Sequence, residues 1–219
     1  LAKAPNKKSA PVAKTVELLK KHYPDAHCAL DHSNPFELLV ATILSAQCTD
    51  ERVNKTTPAL FAKYPTPQKL SKADVNDVER LLISINFYKN KSKNIIAMAQ
   101  MLVDQHGGEV PRELEQLVKL AGVGRKTANV VLGNAFNIAS GIVVDTHVAR
   151  LSQRLGWTKN ADPVKIEQDL IQLIKKEDWV LIAHLLISHG RKTCKARNPD
   201  CLNCFLFDLC PKYYVTLGA

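Results

Sequence analysis

Apolar residues recur at three- and four-residue intervals along most of the chain, the spacing of one face of an α-helix. The run Phe36 to Ala46 is nearly all apolar, which predicts a helix buried on most sides. Its start is marked by Asn34 as cap, Pro35 in the first turn and Glu37 at the third helical position. Further stripes predict helices over about Val53 to Phe61, ending before Pro65, and Val75 to Ile85, with Val78, Leu81 and Leu82 on one face. Lys91 to His106 carries Ile95, Met98, Ala99 and Leu102 in register and stops at Gly107-Gly108. Pro111 opens another helix, striped by Leu114, Leu117 and Val118.

That helix runs into Gly122-Val123-Gly124, and a new one follows at once to about Phe136, with Ala128, Val131 and Leu132 facing inward. Asp145 stands where an N-cap belongs, ahead of Val148, Leu151 and Leu155. Asp162-Pro163 opens a helix with Ile166, Leu170 and Leu173, and the last runs from Trp179 to His189. Ile142-Val143-Val144 alone reads as strand, and three residues build no sheet. The fold class is therefore all-α. No repeat and no linker composition is present, so any two domains are closely packed, without a visible boundary.

Charge changes the picture next. The formal net charge is +9, from 30 Lys and Arg against 21 Asp and Glu, which favours a polyanionic partner. Nucleic acid fits better than a membrane surface, because no long basic amphipathic stretch appears. The longest charge-free apolar run, Trp179 to Ser188, is far too short to span a bilayer. The basic N-terminal stretch is followed by no apolar signal core, so secretion is not expected. Four of the six cysteines fall within 17 positions, as metal ligands do and disulfide frameworks do not. Cys28 and Cys48 stand apart and read as inert, partly buried thiols.

Candidate chemistry concentrates around residues 120–147. A Gly-X-Gly turn between two helices can present backbone N–H groups to a phosphate, and the following helix start adds its dipole. Gly122, Val123, Gly124, Arg125 and Thr127 are the candidate phosphate contacts; alone, the same turn is an ordinary helical hairpin. Lys126 lies in the first turn of its helix, where the dipole disfavours a cation. A nucleophilic amine and a plain phosphate contact both fit there. Asp145 is a helix cap on pattern alone. It can also stabilise developing positive charge or assist proton transfer, and the two roles coexist.

The cysteines are spaced Cys194-x6-Cys201-x2-Cys204-x5-Cys210. Tetrathiolate ligation suits zinc or a four-iron cluster, and spacing does not separate them. Arg191, Lys192, Lys195 and Arg197 surround the first ligand, either as a solvated charged surface or as a phosphate clamp.

Taken together, Leu120 to Val131, the segment Val144-Asp145-Thr146-His147-Val148-Ala149-Arg150, His189-Gly190-Arg191 and the cysteine spacing resemble the endonuclease III family. These are bacterial DNA glycosylase/AP lyases of the helix-hairpin-helix superfamily. Asn34 to Leu39 and Ser45 to Asp50 share the resemblance, which covers the chain from about residue 14 to 212. It implies the HhH-GPD fold: two helical domains flanking a DNA-binding cleft, with a C-terminal iron–sulfur cluster loop. One domain would be a six-helix barrel over residues 28–136. The other, residues 1–27 with 137–219, would carry a [4Fe–4S] cluster on the four cysteines.

By the same resemblance Lys126 matches the lyase nucleophile and Asp145 the essential acid. Gln47 matches a residue inserted into the gap left by a flipped nucleotide, and the segment Ile85 to Tyr88, with Phe87, matches a wedge. His147, Arg150, Arg191, Lys195 and Arg197 complete the expected DNA contacts. Two departures stand out: Ala121 replaces a proline common before the Gly-X-Gly, and Asn86-Phe87 replaces the usual Gly-Leu. The implied activity is removal of oxidised pyrimidines such as thymine glycol from duplex DNA, through a lysine Schiff base, followed by β-elimination at the abasic site. The implied enzyme is a monomer in the bacterial cytoplasm, at the nucleoid when acting. The alternatives are a monofunctional glycosylase, including the adenine-mismatch type, and a non-catalytic DNA-binding protein; Lys126 argues against the first, and Lys126 with Asp145 against the second.

Overall fold

The computed structural model describes residues 8–215. The chain divides into a continuous unit, residues 28–140, and a discontinuous one made from 1–27 and 141–219. Each has its own apolar core. The discontinuous unit begins with α1 (Val12–His22), which buries Val16 and Leu19.

The continuous unit is built around α2 (Pro35–Ser45), in which Phe36 and every residue from Leu38 to Leu44 are buried. Full burial of one such leucine contributes about 1.5–3 kcal/mol. The helix starts as its sequence dictates: Asn34 accepts from the Glu37 N–H at 2.9 Å, and Glu37 in turn accepts from the Ser33 N–H at 2.7 Å. Around it lie α3 (Asp50–Lys63), α4 (Pro67–Leu70), α5 (Val75–Leu81), α6 (Tyr88–His106), α7 (Leu114–Leu117) and α8 (Arg125–Phe136). Helices α3, α6 and α8 pack directly on α2.

The discontinuous unit resumes with α9 (Thr146–Arg154), α10 (Pro163–Leu173), a 3-10 turn at Lys176–Asp178 and α11 (Trp179–Lys192). Helix α11 packs against both α1 and α9. The two segments of this unit meet here: the Ala10 N–H donates to the Leu155 carbonyl at 2.8 Å, and Trp157 donates to the Ala10 carbonyl at 3.0 Å. Residues 193–215 follow as a chain of turns carrying the four cysteines.

Several expectations change. Residues 142–144 form no strand; Ile142 and Val144 fill the core without a ladder partner among the described residues. Pro111 does not open a helix: α7 is a single turn from Leu114, and Val118, expected inside, is 40% exposed. Helix α3 runs past the expected limits at both ends because Thr49 caps its start at Arg52, and Pro58 is accommodated within it. Helix α6 starts three residues before Lys91, at Tyr88, while α5 stops at Leu81, short of Ile85. Helix α4, four residues capped by Thr66, is too short to show periodicity.

Candidate nucleic-acid interface and metal centre

In the continuous unit, α8 begins immediately after the Gly122-Val123-Gly124 turn, with Gly124 at the N-cap and no side chain capping the helix. Its first N–H groups are therefore presented by backbone alone. Gly122 has φ +75°, and a Cβ there would approach the Asn94 Cβ at 3.0 Å, so conformation and space both require glycine. Val123 is buried and anchors the turn from below. Gly124 is extended, with nothing within 4 Å of a Cβ position. Arg125 and Lys126 are exposed and Thr127 is half-buried. Lys126 is the second residue of α8, on the solvent side of the turn. An amine there can reach a sugar carbon while backbone donors hold a neighbouring phosphate.

Two more loops of this unit carry predicted contacts. Gln47 follows α2 with φ +53°, and Phe87 precedes α6 with φ +59° and 64% exposure. Left-handed backbone is unusual for a bulky residue and marks positions held by their surroundings. Asn86 Nδ2 donates to the Gln47 carbonyl at 2.6 Å, and Arg52 donates to Asn86 Oδ1 at 3.4 Å and to the Ser84 carbonyl at 3.5 Å. The buried Lys91 ammonium donates to the carbonyls of Leu44 at 2.8 Å and Ala46 at 2.5 Å, satisfying the end of α2. Burial lowers the Lys91 pKa from its ordinary value. Sequence reading used Lys91 only as a helix start; its place four residues before Ile95 on the buried stripe was the available signal.

In the discontinuous unit, Asp145 is the cap of α9, its Oδ1 accepting from the Val148 N–H at 2.8 Å. The bond fixes one carboxylate oxygen and leaves the group half-buried. His147 and Arg150, expected at DNA, are turned toward protein. Arg150 donates to the Cys194 carbonyl at 3.0 and 3.3 Å and to the Gly190 carbonyl at 3.2 Å, and it lies 3.1 Å from His147 Nδ1. A Cβ on Gly190 would stand 2.8 Å from that same Nδ1, so the glycine admits both side chains against α11. Their geometry closes the end of α11 onto the cysteine loop. Arg191, Lys195 and Arg197, by contrast, are exposed.

Arg154, not singled out from sequence, is 7% exposed and donates to the carbonyls of Lys195 at 2.8 Å and Ala196 at 3.1 Å. It is a cation on the buried side of α9, beside Leu151 and Leu155. His189 is also buried: Nδ1 lies 2.9 Å from the Tyr23 hydroxyl and Nε2 lies 3.5 Å from Cys204 Sγ. Burial first, and then the neighbouring His22, push its pKa down to about 4.

All four predicted cysteine ligands line one pocket, walled by Leu151, Leu155, Leu206 and Phe207. Donors point at the sulfurs: Arg154 to Cys194 at 3.3 Å, the Leu206 N–H to Cys204 at 3.4 Å and the Lys212 N–H to Cys210 at 3.4 Å. Such donors suit thiolates holding a metal group. Burial first pushes the Cys204 thiol up to about 11 and raises Cys201 and Cys210, with thiolate repulsion adding to it. A coordinated metal reverses that balance. Among the described residues no three His, Cys, Asp or Glu side chains are arranged to hold a single metal ion. Four thiols lining one pocket, with no three of those side chains set around a single ion, suit a polynuclear cluster. Cys28 and Cys48 are half-buried against the other core, and burial raises the Cys28 thiol.

Comparison with known proteins agrees with this layout. The family of HhH-GPD superfamily base excision DNA repair proteins matches residues 40–176, and the iron-sulfur binding domain of endonuclease III matches residues 194–210. Endonuclease III of Synechocystis sp. is 55% identical over 194 residues, 89% of either chain. That of Bacillus subtilis is 49% identical over 189 residues, 86% of either chain. A solved structure of a trapped endonuclease III–DNA covalent intermediate matches with a TM-score of 0.87 and 46% identity, over 92% of this chain and 94% of that one. The all-helical HhH-GPD fold and its C-terminal cysteine loop are common to these proteins and this one, and the chain belongs to the endonuclease III family.

Proposed function

We propose that this chain removes oxidised pyrimidines from duplex DNA and then cuts the abasic strand, with Lys126 as nucleophile and Asp145 as the acid that assists it. Base-excision DNA glycosylase/AP lyase chemistry is the activity of its family. The observation that carries the residue assignment is the place of Lys126, exposed in the first turn of a helix whose backbone donors no side chain caps.

The target base lies in a stack, so its nucleotide is first extruded. The Lys126 amine attacks C1′, the glycosidic bond breaks, and the base departs with the bonding electrons and is protonated. Loss of a proton from the amine and opening of the sugar give a Schiff base. Removal of a C2′ proton then expels the 3′ phosphate, and water releases the enzyme. Asp145 serves the proton transfers and the positive charge that develops at the sugar. Gly122, Val123, Gly124, Arg125 and Thr127 supply the phosphate seat, Gln47 and Phe87 enter the stack, and Arg191, Lys195 and Arg197 grip the backbone.

Cys194, Cys201, Cys204 and Cys210 would hold a [4Fe–4S] cluster, which supplies a covalent tie for residues 193–215. The repair reaction transfers no net electrons, so this tie is structural. The barrel-domain role goes to residues 28–136 and the cluster-domain role to the two outer segments. One chain carries both Lys126 and Asp145, which supports action as a monomer. No helix among the described residues is long and apolar enough to cross a membrane. The site of action is the bacterial nucleoid.

Borohydride trapping on a thymine-glycol duplex tests the assignment. Wild-type protein should be captured, with the adduct mapping to Lys126. Lys126→Gln should bind DNA yet lose both trapping and strand cleavage. Undiminished trapping by that variant overturns the nucleophile, and base release without any wild-type adduct overturns the lyase reading.

A further inference from the structure

Gln47 and Phe87 belong to different loops, but each is a non-glycine residue in left-handed backbone with its side chain at the surface. Between them stands Asn86, whose amide donates to the Gln47 carbonyl at 2.6 Å. The same side chain accepts from Arg52 at 3.4 Å, which also reaches the Ser84 carbonyl at 3.5 Å. Thr56 and Ser84 add a 2.9 Å hydroxyl contact, holding the second loop to α3. On the other side of Phe87, Lys91 holds the carbonyls of Leu44 and Ala46. Three of the four carbonyls from residue 44 to 47 are thus gripped by side chains that flank Phe87 in sequence.

We propose that Asn86 is a positioning residue that locks the Gln47 and Phe87 loops into one preassembled wedge, so that both enter the duplex as a unit around the extruded nucleotide. The proposal rests on the insertion roles assigned above. Two separate loops would each lose conformational freedom on entering DNA; a hydrogen bond already joining them removes part of that cost before binding. The wedge therefore favours DNA whose stack is already broken, and it contributes discrimination without Asn86 touching a base.

The test uses the cluster-loaded protein and two duplexes, one undamaged and one with a tetrahydrofuran abasic-site analogue opposite 2-aminopurine. Fluorescence of the 2-aminopurine reports unstacking, and titration gives the affinity ratio between the duplexes. Asn86→Ala should lower that ratio about two- to tenfold, the range of one hydrogen bond. Asn86→Asp keeps the size and the acceptor for Arg52 but lacks the donor, and should lower the ratio equally. In Gln47→Ala/Phe87→Ala protein, which keeps the residue 47 carbonyl but has neither inserting side chain, adding Asn86→Ala should produce little further loss, because Asn86 acts only through that pair. A wild-type ratio in Asn86→Ala, or losses that simply add, overturns the lock while leaving insertion intact. If neither Gln47→Ala nor Phe87→Ala changes ratio or fluorescence, insertion itself fails and the lock falls with it.

Discussion

Arg154 reaches the Cys194 sulfur at 3.3 Å with the same Nη1 that donates to the Lys195 carbonyl at 2.8 Å. One buried guanidinium thus binds a candidate cluster ligand and the backbone of the basic loop together. The stretch that presents Lys195 and Arg197 is shaped from inside the unit, by a side chain that need not touch DNA.

Replacing Arg154 should consequently damage two properties at once. Arg154→Met keeps the stem but leaves several carbonyls without donors, at about 1–3 kcal/mol for each group left unsatisfied. Thermal denaturation should shift downward by several degrees. Iron content and affinity for undamaged duplex should fall in parallel. Arg154→Lys, with a single point of donation, should restore little of either.

The outward cations should behave differently. Lys195→Ala and Arg197→Ala should leave the melting temperature within about 1 °C, since surface changes stay near zero in stability. Together they should flatten the plot of log affinity against log salt by about 1.8, near 0.9 for each phosphate contact removed. An unchanged slope would show that the exposed pair does not grip the backbone.

Gly122 and Gly124 should separate conformation from approach. Gly122→Ala places a Cβ on left-handed backbone against Asn94, and should destabilise the fold by about 1–2 kcal/mol in urea denaturation. Gly124→Ala meets open space and ordinary backbone, so stability should hold to within about 0.5 kcal/mol. Its methyl would occupy the side from which a phosphate approaches, and duplex affinity should drop.

Capping and catalysis should part at Asp145. Asp145→Asn retains an acceptor for the Val148 N–H, whereas Asp145→Ala loses about 1 kcal/mol of helix cap. Both should lose single-turnover rate alike. A rate that follows stability instead of charge would reduce Asp145 to its cap.

Acid sensitivity should be traceable to Asp77, which contacts Lys63 at 2.7 Å, the Tyr64 hydroxyl at 2.6 Å and Arg80 at 3.0 Å. Hydrogen bonding, first from Lys63 and then from Tyr64 and Arg80, holds its carboxyl below its ordinary 3.8. A depressed carboxyl contributes stability that is present above about pH 4 and lost as pH falls toward the folded-state value. The same contact pushes Tyr64 up to about 12, so its part is present below about pH 10 and lost above it. Asp77→Asn should flatten the acid limb of a stability–pH profile measured by urea denaturation.

Local signals were legible wherever one residue type answered one backbone need. Asn34, Asp145 and Asp162 cap the helices they were expected to cap. The family resemblance rested on whole motifs and was borne out. What sequence did not reveal was direction. Arg150 and Lys195 are both basic residues near the cysteine loop, yet one faces carbonyls of its own chain and the other faces solvent. Asn86 looked only like a departure from the family pattern, because its acceptor lies 39 residues away. Ile142 to Val144 has strand composition, but a segment with no strand among the described residues to pair with forms no ladder.

The division of the chain also dictates an order of assembly. Residues 28–140 are contiguous, so their core is complete once residue 140 has left the ribosome. Helix α1 is synthesised before the inserted unit but packs against α11, more than 150 residues later, so it waits through the synthesis of that whole unit. The four cysteines emerge after α11. A translating chain thus passes through a state with one finished unit and one exposed amphipathic helix, and iron delivery coincides with closure of the second. Stalled or truncated chains that stop before residue 193 would keep a folded hairpin unit without the tie that completes its companion.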